Sequence, residues 1–224
     1  MADSPGDRPR VLVGNVYFAP SSFGGATIVA ENLASELNKR HGWDVIVAAS
    51  IEDAGLHDYS VRRYAARGVD VIGVKVPEYG QMSDERWSNR RYDRIFGEIL
   101  DQVRPDIVHM HCVQNLGATC LGEVTRRNIP LAVTVHDCFW ICERQFMVMP
   151  GGRYCDQRAI DLDVCRFCVP DLGLTRGRMT MLAEELSRAD RILFPSRFHR
   201  DLHVDNGFDP QRCVVNRNGV LPPA

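Results

Sequence analysis

Three groups of residues in this 224-residue chain have types and spacings that point to chemistry. Cys142, Cys155, Cys165 and Cys168 follow the pattern C-x12-C-x9-C-x2-C. The closing Cys-x2-Cys is a metal-knuckle element, and two earlier thiols can complete a tetrahedral four-cysteine zinc site. Four thiolates leave no open coordination position, so zinc there would be structural and not catalytic. The segment is poor in apolar residues, which is where a metal staple adds most. The same thiols can instead stay free or pair as disulfides, and one knuckle is weaker than two. The remaining cysteines, Cys112, Cys120, Cys138 and Cys213, fall on strands, a helix or a strand exit and read as buried thiols.

His136-Asp137 ends the apolar run LAVTV (131–135). There a neutral imidazole can exchange one hydrogen bond with a sugar hydroxyl or an oxyanion, and a carboxylate can bind two hydroxyls. Against that stands a plain structural role, with Asp137 capping the next turn and His136 packing on Trp140. Cys138 two residues on is poorly placed as a nucleophile for His136 to activate. Gly24-Gly25 opens a helical pattern, where backbone N–H groups can approach an anion and the helix dipole favours it; a bare glycine turn is the equal alternative. His109 and His111 share one strand face, with His109 read as a core histidine and His111 as bordering the ligand edge. No acidic partner makes them a metal pair.

These groups need elements to hold them. RVLVGNV (10–16), DVIVAAS (44–50), VDVIGVKV (69–76), DIVHMHC (106–112), LAVTV (131–135), RILFP (191–195) and CVVN (213–216) are short β-rich runs of the buried parallel type. Helical patterns lie between them, the first carrying Ala26, Val29, Ala30, Leu33 and Leu37 on one face. Others are expected near 57–67, 84–103, 116–127, 175–188 and 197–205, with Ser83 and Ser196 as caps. Six or seven strands alternating with helices predict a doubly wound parallel α/β sheet, Rossmann-like, over 9–220, with a cysteine-bearing insertion at 138–172. Ligands in such sheets sit at the C-terminal strand ends. That edge gathers Tyr17, Gly24, Gly25, His111, Asn115, His136 and Asp137 into one expected cleft.

Composition narrows the function classes. A 45% hydrophobic and 25% charged chain with net charge -2 is an ordinary globular one, with no sign of a nucleic-acid partner. No run reaches the length of a membrane span. The polar start, MADSPGDRPR, reads as a short tail over 1–8 without the apolar core of a leader, so a cytoplasmic location is expected and eight cysteines are not read as a disulfide framework. Arg86, Arg90 and Arg94 at a spacing of four, beside Trp87, would let helix 84–103 lie peripherally on the inner face of an anionic membrane. The interleaved Asp84, Glu85, Asp93, Glu98 and Asp101 favour a solvated face instead. An NAD-dependent oxidoreductase is disfavoured, because the first strand-helix turn lacks the G-x-G-x-x-G spacing.

Taken in order, the Gly24-Gly25 loop, RPDIVHMHC, LAVTVHDCFWIC, ADRILFPSRFHRDL and VVNRNGV resemble the N-terminal domain of the GT-B retaining glycosyltransferases of the group 1, family-4 type. GGRYCDQRAIDLDVCRFC resembles a cysteine-bearing insertion of a subset of them. The resemblance implies two Rossmann-like domains facing a cleft, acceptor mainly on the first and nucleotide-sugar donor mainly on the second. It implies that Gly24 and Gly25 contact the donor's phosphates and that His136 hydrogen-bonds the donor sugar near the reacting carbon; Tyr17, His111, Asn115 and Asp137, by their place at the strand ends, are expected to line the acceptor side of the cleft. The acceptor would be a carbohydrate, a lipid-linked sugar or a small molecule. No catalytic metal is implied, which leaves any zinc a structural role. The chain stops at NGVLPPA, where the family enters its interdomain linker, so a C-terminal donor-binding domain is expected to complete the enzyme. A stand-alone, non-catalytic ligand-binding module is the alternative.

Overall fold

A computed structural model describes residues 8–80 and 83–219; apart from Arg8, the expected tail lies outside the described residues. Among the described residues eight strands, β1 (Arg10–Asn15), β2 (Asp44–Ser50), β3 (Val61–Ala66), β4 (Val69–Val74), β5 (Ile107–Met110), β6 (Leu131–Thr134), β7 (Arg191–Phe194) and β8 (Cys213–Val215), follow the order β3-β4-β2-β1-β5-β6-β7-β8, the mostly parallel α/β arrangement that the alternation of runs predicts. The chain divides into two compact units, one up to Ala132 together with Gly219, the other Val133–Asn218.

In the first unit, β1 (Arg10–Asn15) pairs in parallel with β2 (Asp44–Ser50) on one side and with β5 (Ile107–Met110) on the other. β2 in turn pairs in parallel with β4 (Val69–Val74). Because side chains alternate, Val11, Val13, Val45, Val47, Val69 and Val71 point one way. They bury against Phe18 and against Ala34 of α1 (Gly24–Arg40). Leu12, between Val11 and Val13, faces the other side of the sheet and is fully buried there. Gly14 stands opposite Met110 in the register, and a Cβ there would sit 2.2 Å from the Met110 sulfur. Glycine leaves that space to the methionine.

Two helix expectations fail here. Residues 57–67 are not helical: Val61–Ala66 form β3, which pairs antiparallel with β4 through the two-residue turn Arg67-Gly68. Both turn residues have positive φ, 54° and 80°, the geometry that matches strand twist in a tight hairpin. Arg67 is held there by Glu31 of α1, a fully buried carboxylate that takes its guanidinium at 2.9 Å and also bonds Ser22. The sheet therefore carries one antiparallel edge strand, a common addition to a parallel sheet.

The span 84–103 is not one helix either. Ser83 caps only a single turn, Asp84–Arg86, and α2 (Arg90–Val103) starts afresh where Asn89 accepts the N–H of Tyr92 at 3.0 Å. The break takes Arg86 out of register with Arg90 and Arg94. Trp87 is 6% exposed, and Arg91 lies over the Tyr59 ring at 4.3 Å. The basic, aromatic helix face that would meet a membrane is thus not assembled, and no described helix is long and apolar enough to cross one. α2 instead buries Tyr92, Phe96, Ile99, Leu100 and Val103. The expected helix over 116–127 reduces to a turn at Ala118–Cys120 and α3 (Leu121–Arg126).

The boundary between the units falls inside β6 (Leu131–Thr134). In the second unit, β7 (Arg191–Phe194) pairs in parallel with β8 (Cys213–Val215). The insertion contains α4 (Leu162–Cys165) and one bridge, Val148 to Tyr154. It is less poor in core than its sequence suggests. Phe139, Trp140, Ile141 and Met147 are all buried, each contributing about 2 kcal/mol of apolar burial. α5 (Leu172–Leu186) is capped by Asp171 and α6 (Arg197–Val204) by Ser196, as expected for the latter. Of the four cysteines read as buried thiols, Cys120 and Cys213 are buried, whereas Cys112 and Cys138 remain partly exposed at strand exits.

α6 also places two histidines in the interior. His203 is fully buried against Phe194 and Phe208, and burial, followed by the neighbouring His199, lowers its pKa to about 3. Its folded value lies below its unfolded one of about 6.5, so the unfolded chain takes up the proton first as pH falls. The stability is complete above pH ~6.5 and is lost through the window down to about 3. Equilibrium denaturation is expected to give a stability difference between pH 7 and pH 4.5 that shrinks by about 2 kcal/mol in His203→Leu. An unchanged difference would contradict the assignment.

Candidate functional site

At the end of β1 the ladder stops, and the buried side chain of Asn15 takes over. Its amide nitrogen donates to the Tyr17 carbonyl at 2.6 Å and to Thr27 Oγ1 at 3.3 Å, and its oxygen accepts Cys112 N–H at 3.0 Å. One residue thereby fixes the loop after β1, the first turn of α1 and the exit of β5. The loop leads to Phe23, which caps α1 with extended backbone and no side-chain hydrogen bond. Gly24 has φ of 78°, which disfavours other residues. No protein atom lies within 4 Å of where a Cβ would stand on Gly24 or Gly25. With no acidic residue in the first turn, this helix start offers uncovered N–H groups to an anion.

Tyr17 and Asn115 do line a common cavity, of ≈ 320 Å³, at the C-terminal ends of β1, β2 and β4. Its charged wall consists of Glu52, Asp58, Lys75 and Glu78. Burial, then Glu52 and Glu78, raise the Tyr17 pKa, so its hydroxyl stays protonated and can donate. Three carboxylates, an ammonium and a phenol give a surface of many acceptors and few donors, suited to a ligand rich in hydroxyls. The wall residues carry no motif and come in twos from the segments that follow β2 and β4, so only the fold assembles them. His111 does not line this cavity. It is 2% exposed, because its own N–H still bonds Gly14 of β1 at 2.8 Å and keeps it inside the sheet. His109, 4.4 Å from it ring to ring, is the more exposed of the two.

In the second unit, β6 delivers His136 and Asp137. The Asp137 carboxylate accepts Phe139 N–H at 2.8 Å and Gln145 Nε2 at 2.6 Å, and its carbonyl oxygen faces His199 Nε2 at 3.1 Å. Asp137 therefore caps the following turn, the structural role weighed for it. The turn is closed further by Cys138 N–H to Gln145 O at 2.8 Å and by buried Arg178, which donates to Phe139 O at 2.6 Å and covers its ring. His136, on this rigid support, has its pKa lowered to about 4, first by burial and then by His199. It is a neutral imidazole at physiological pH. Sequence reasoning misses Gln145, Arg178 and His199, whose parts appear only once distant segments meet.

A thiol-histidine nucleophile is not built here. Cys138 Sγ lies 4.0 Å from His199 Nε2, but burial, then Cys142 and Asp137, push the thiol up to about 12. It stays protonated and unreactive. Cys142, Cys155, Cys165 and Cys168 all line a second, small cavity, and all are free thiols. Among the described residues no group of three or more His, Cys, Asp or Glu already stands at spacing fit to hold a metal ion.

Comparison with known proteins places these features. The family described as Glycosyltransferase Family 4 matches residues 23–222. No curated protein matches. Similar solved structures include the catalytic domain of starch synthase IV from Arabidopsis thaliana bound to ADP and acarbose, at 15% identity and TM-score 0.52, covering 95% of this chain and 52% of that one. Anabaena HepE in complex with UDP-glucose aligns at 12% identity and TM-score 0.53, covering 94% and 44%. UDP-N-acetylglucosamine 2-epimerase from Rickettsia bellii aligns at 12% and 0.52, covering 94% and 45%. The chain spans about half the length of these structures. The chain belongs to glycosyltransferase family 4, and its fold is that of the N-terminal domain of a GT-B glycosyltransferase.

Proposed function

We propose that this chain is the acceptor-binding half of a retaining glycosyltransferase that moves a sugar from a nucleotide-sugar donor to a hydroxyl-bearing acceptor. The observation that carries the reading is His136: a neutral imidazole fixed at the C-terminal end of β6, in a chain of family 4. A neutral ring can donate one hydrogen bond to a sugar hydroxyl, and it adds no positive charge near the anomeric carbon, where positive charge develops during transfer.

In this reading the cavity of Tyr17, Glu52, Asp58, Lys75, Glu78 and Asn115 receives the acceptor. Gly24 and Gly25 let backbone N–H groups approach the donor's diphosphate. The bond from the sugar carbon to the diphosphate oxygen breaks, and a bond to the acceptor oxygen forms on the same face. The acceptor's proton passes to the departing phosphate oxygen. Charge on that leaving group is stabilised by electrostatics supplied mainly by a second, donor-binding domain, which accords with the half-length coverage of similar structures. The UDP-glucose complex among those structures supports the donor class. A cytoplasmic location goes with this reading.

The test uses the enzyme with both domains. His136→Ala is expected to lower kcat by about a hundredfold while costing about 1 kcal/mol of stability, measured side by side; activity within about twofold of the parent would overturn the role. The Cβ added by Gly25→Ala meets no other side chain or distant backbone within 4 Å, so folding should be unchanged while the donor KM rises about tenfold or more. An unaltered donor KM would remove the glycine pair from the site. Glu52→Gln should raise the acceptor KM and leave the donor KM in place; the opposite split would assign the cavity to the donor.

A further inference from the structure

We propose that Cys142, Cys155, Cys165 and Cys168 bind one divalent metal ion, zinc by the softness and number of the ligands, as a structural site independent of sugar transfer. The inference starts from convergence. The four thiols span twenty-seven residues of sequence and arrive on separate pieces of chain, yet all line one cavity of ≈ 20 Å³. That is room for about one water-sized sphere between the side chains.

Each piece is held in place by its own backbone bonds. Cys142 closes the turn begun at Cys138, donating to its carbonyl at 2.8 Å. Cys155 follows the Val148–Tyr154 bridge and bonds back to Met147 O at 2.7 Å. Cys165 ends α4, and Cys168 N–H turns back onto Cys165 O at 2.8 Å, the tight loop of a knuckle. Two of the sulfurs also share a donor. Gln157 Nε2 lies 3.2 Å from Cys155 Sγ and 3.9 Å from Cys165 Sγ. A metal-bound thiolate accepts such an N–H more strongly than a neutral thiol and is oriented by it.

The segment also needs such a staple. Between Glu143 and Cys168 its regular structure is one bridge and a four-residue helix. Since no three ligands already stand at ion-holding spacing among the described residues, binding has to draw the sulfurs inward. The metal should therefore tighten the insertion, which gives a readout separate from composition.

The protein is purified without chelator, its metal measured by mass spectrometry, and the stripped protein titrated with cobalt(II). The expected results are about one zinc per chain, and a cobalt complex with intense thiolate-to-metal charge transfer and tetrahedral d–d bands. Metal should also slow proteolysis within 143–168 by about tenfold or more. Cys168→Ser should weaken cobalt binding by more than about a hundredfold, and Cys112→Ser should leave it unchanged. If Cys168→Ser fails to fold, the parent titration alone decides. Absence of both retained zinc and a tetrathiolate cobalt spectrum overturns the proposal, as does a disulfide between any two of the four in the purified protein. None of these outcomes depends on glycosyl transfer, so the site and the enzymatic reading can fail separately.

Discussion

When a parallel strand ends, its last backbone groups lose their ladder partners, and something must satisfy them before they can lie near a ligand. This protein solves that problem twice in the same way. At the end of β1 a buried amide, Asn15, bonds the Tyr17 carbonyl and the Cys112 N–H. At the end of β6 a carboxylate, Asp137, bonds Phe139 N–H and the Gln145 amide. Everything proposed for function hangs from these two side chains. The first fixes the loop that carries Tyr17 and leads to Gly24-Gly25, and the second fixes the turn that follows His136. Rigid support of this kind allows a neutral or weakly bonded group to hold a useful geometry.

The electrostatics of the two strand ends differ, and the difference matches the parts assigned to them. Carboxylates with one lysine wall the cavity in the first unit, offering many acceptors to hydroxyl donors. The uncovered start of α1 offers N–H groups to an anion. In the second unit burial strips charge away: His136, His199 and His203 all have lowered pKa values and the Cys138 thiol a raised one. A region that suppresses ionisation suits a group meant to hydrogen-bond and not to transfer a proton.

Much of this is legible in the sequence, and what is not has physical reasons. The β-branched runs of β1, β2 and β4 announce buried parallel strands because both faces are covered, and DVIVAAS matches β2 residue for residue. Position at strand ends singles out Tyr17, Asn115 and His136. β3 is hard to see because an edge strand buries little: Tyr64 and Ala66 pack on the core while Val61, Arg62 and Arg63 are exposed, so its alternation is faint. The break in 84–103 is hidden because Asn89 caps α2 from inside a continuous helical pattern. By position alone His111 leaves the sheet, yet its N–H remains bonded to Gly14. Glu52, Asp58, Lys75 and Glu78 meet only in three dimensions, and single charged residues carry no periodicity to find.

The central claim is that the end of β6 holds His136 as a neutral, hydrogen-bonding imidazole. It is tested most directly by following the His136 ring resonances by NMR across pH, with His136→Gln to assign them. The account predicts a midpoint well below the ordinary histidine value, at about 4. A midpoint at or above about 6.5 would mean an imidazole open to water or paired with an anion, and would contradict it.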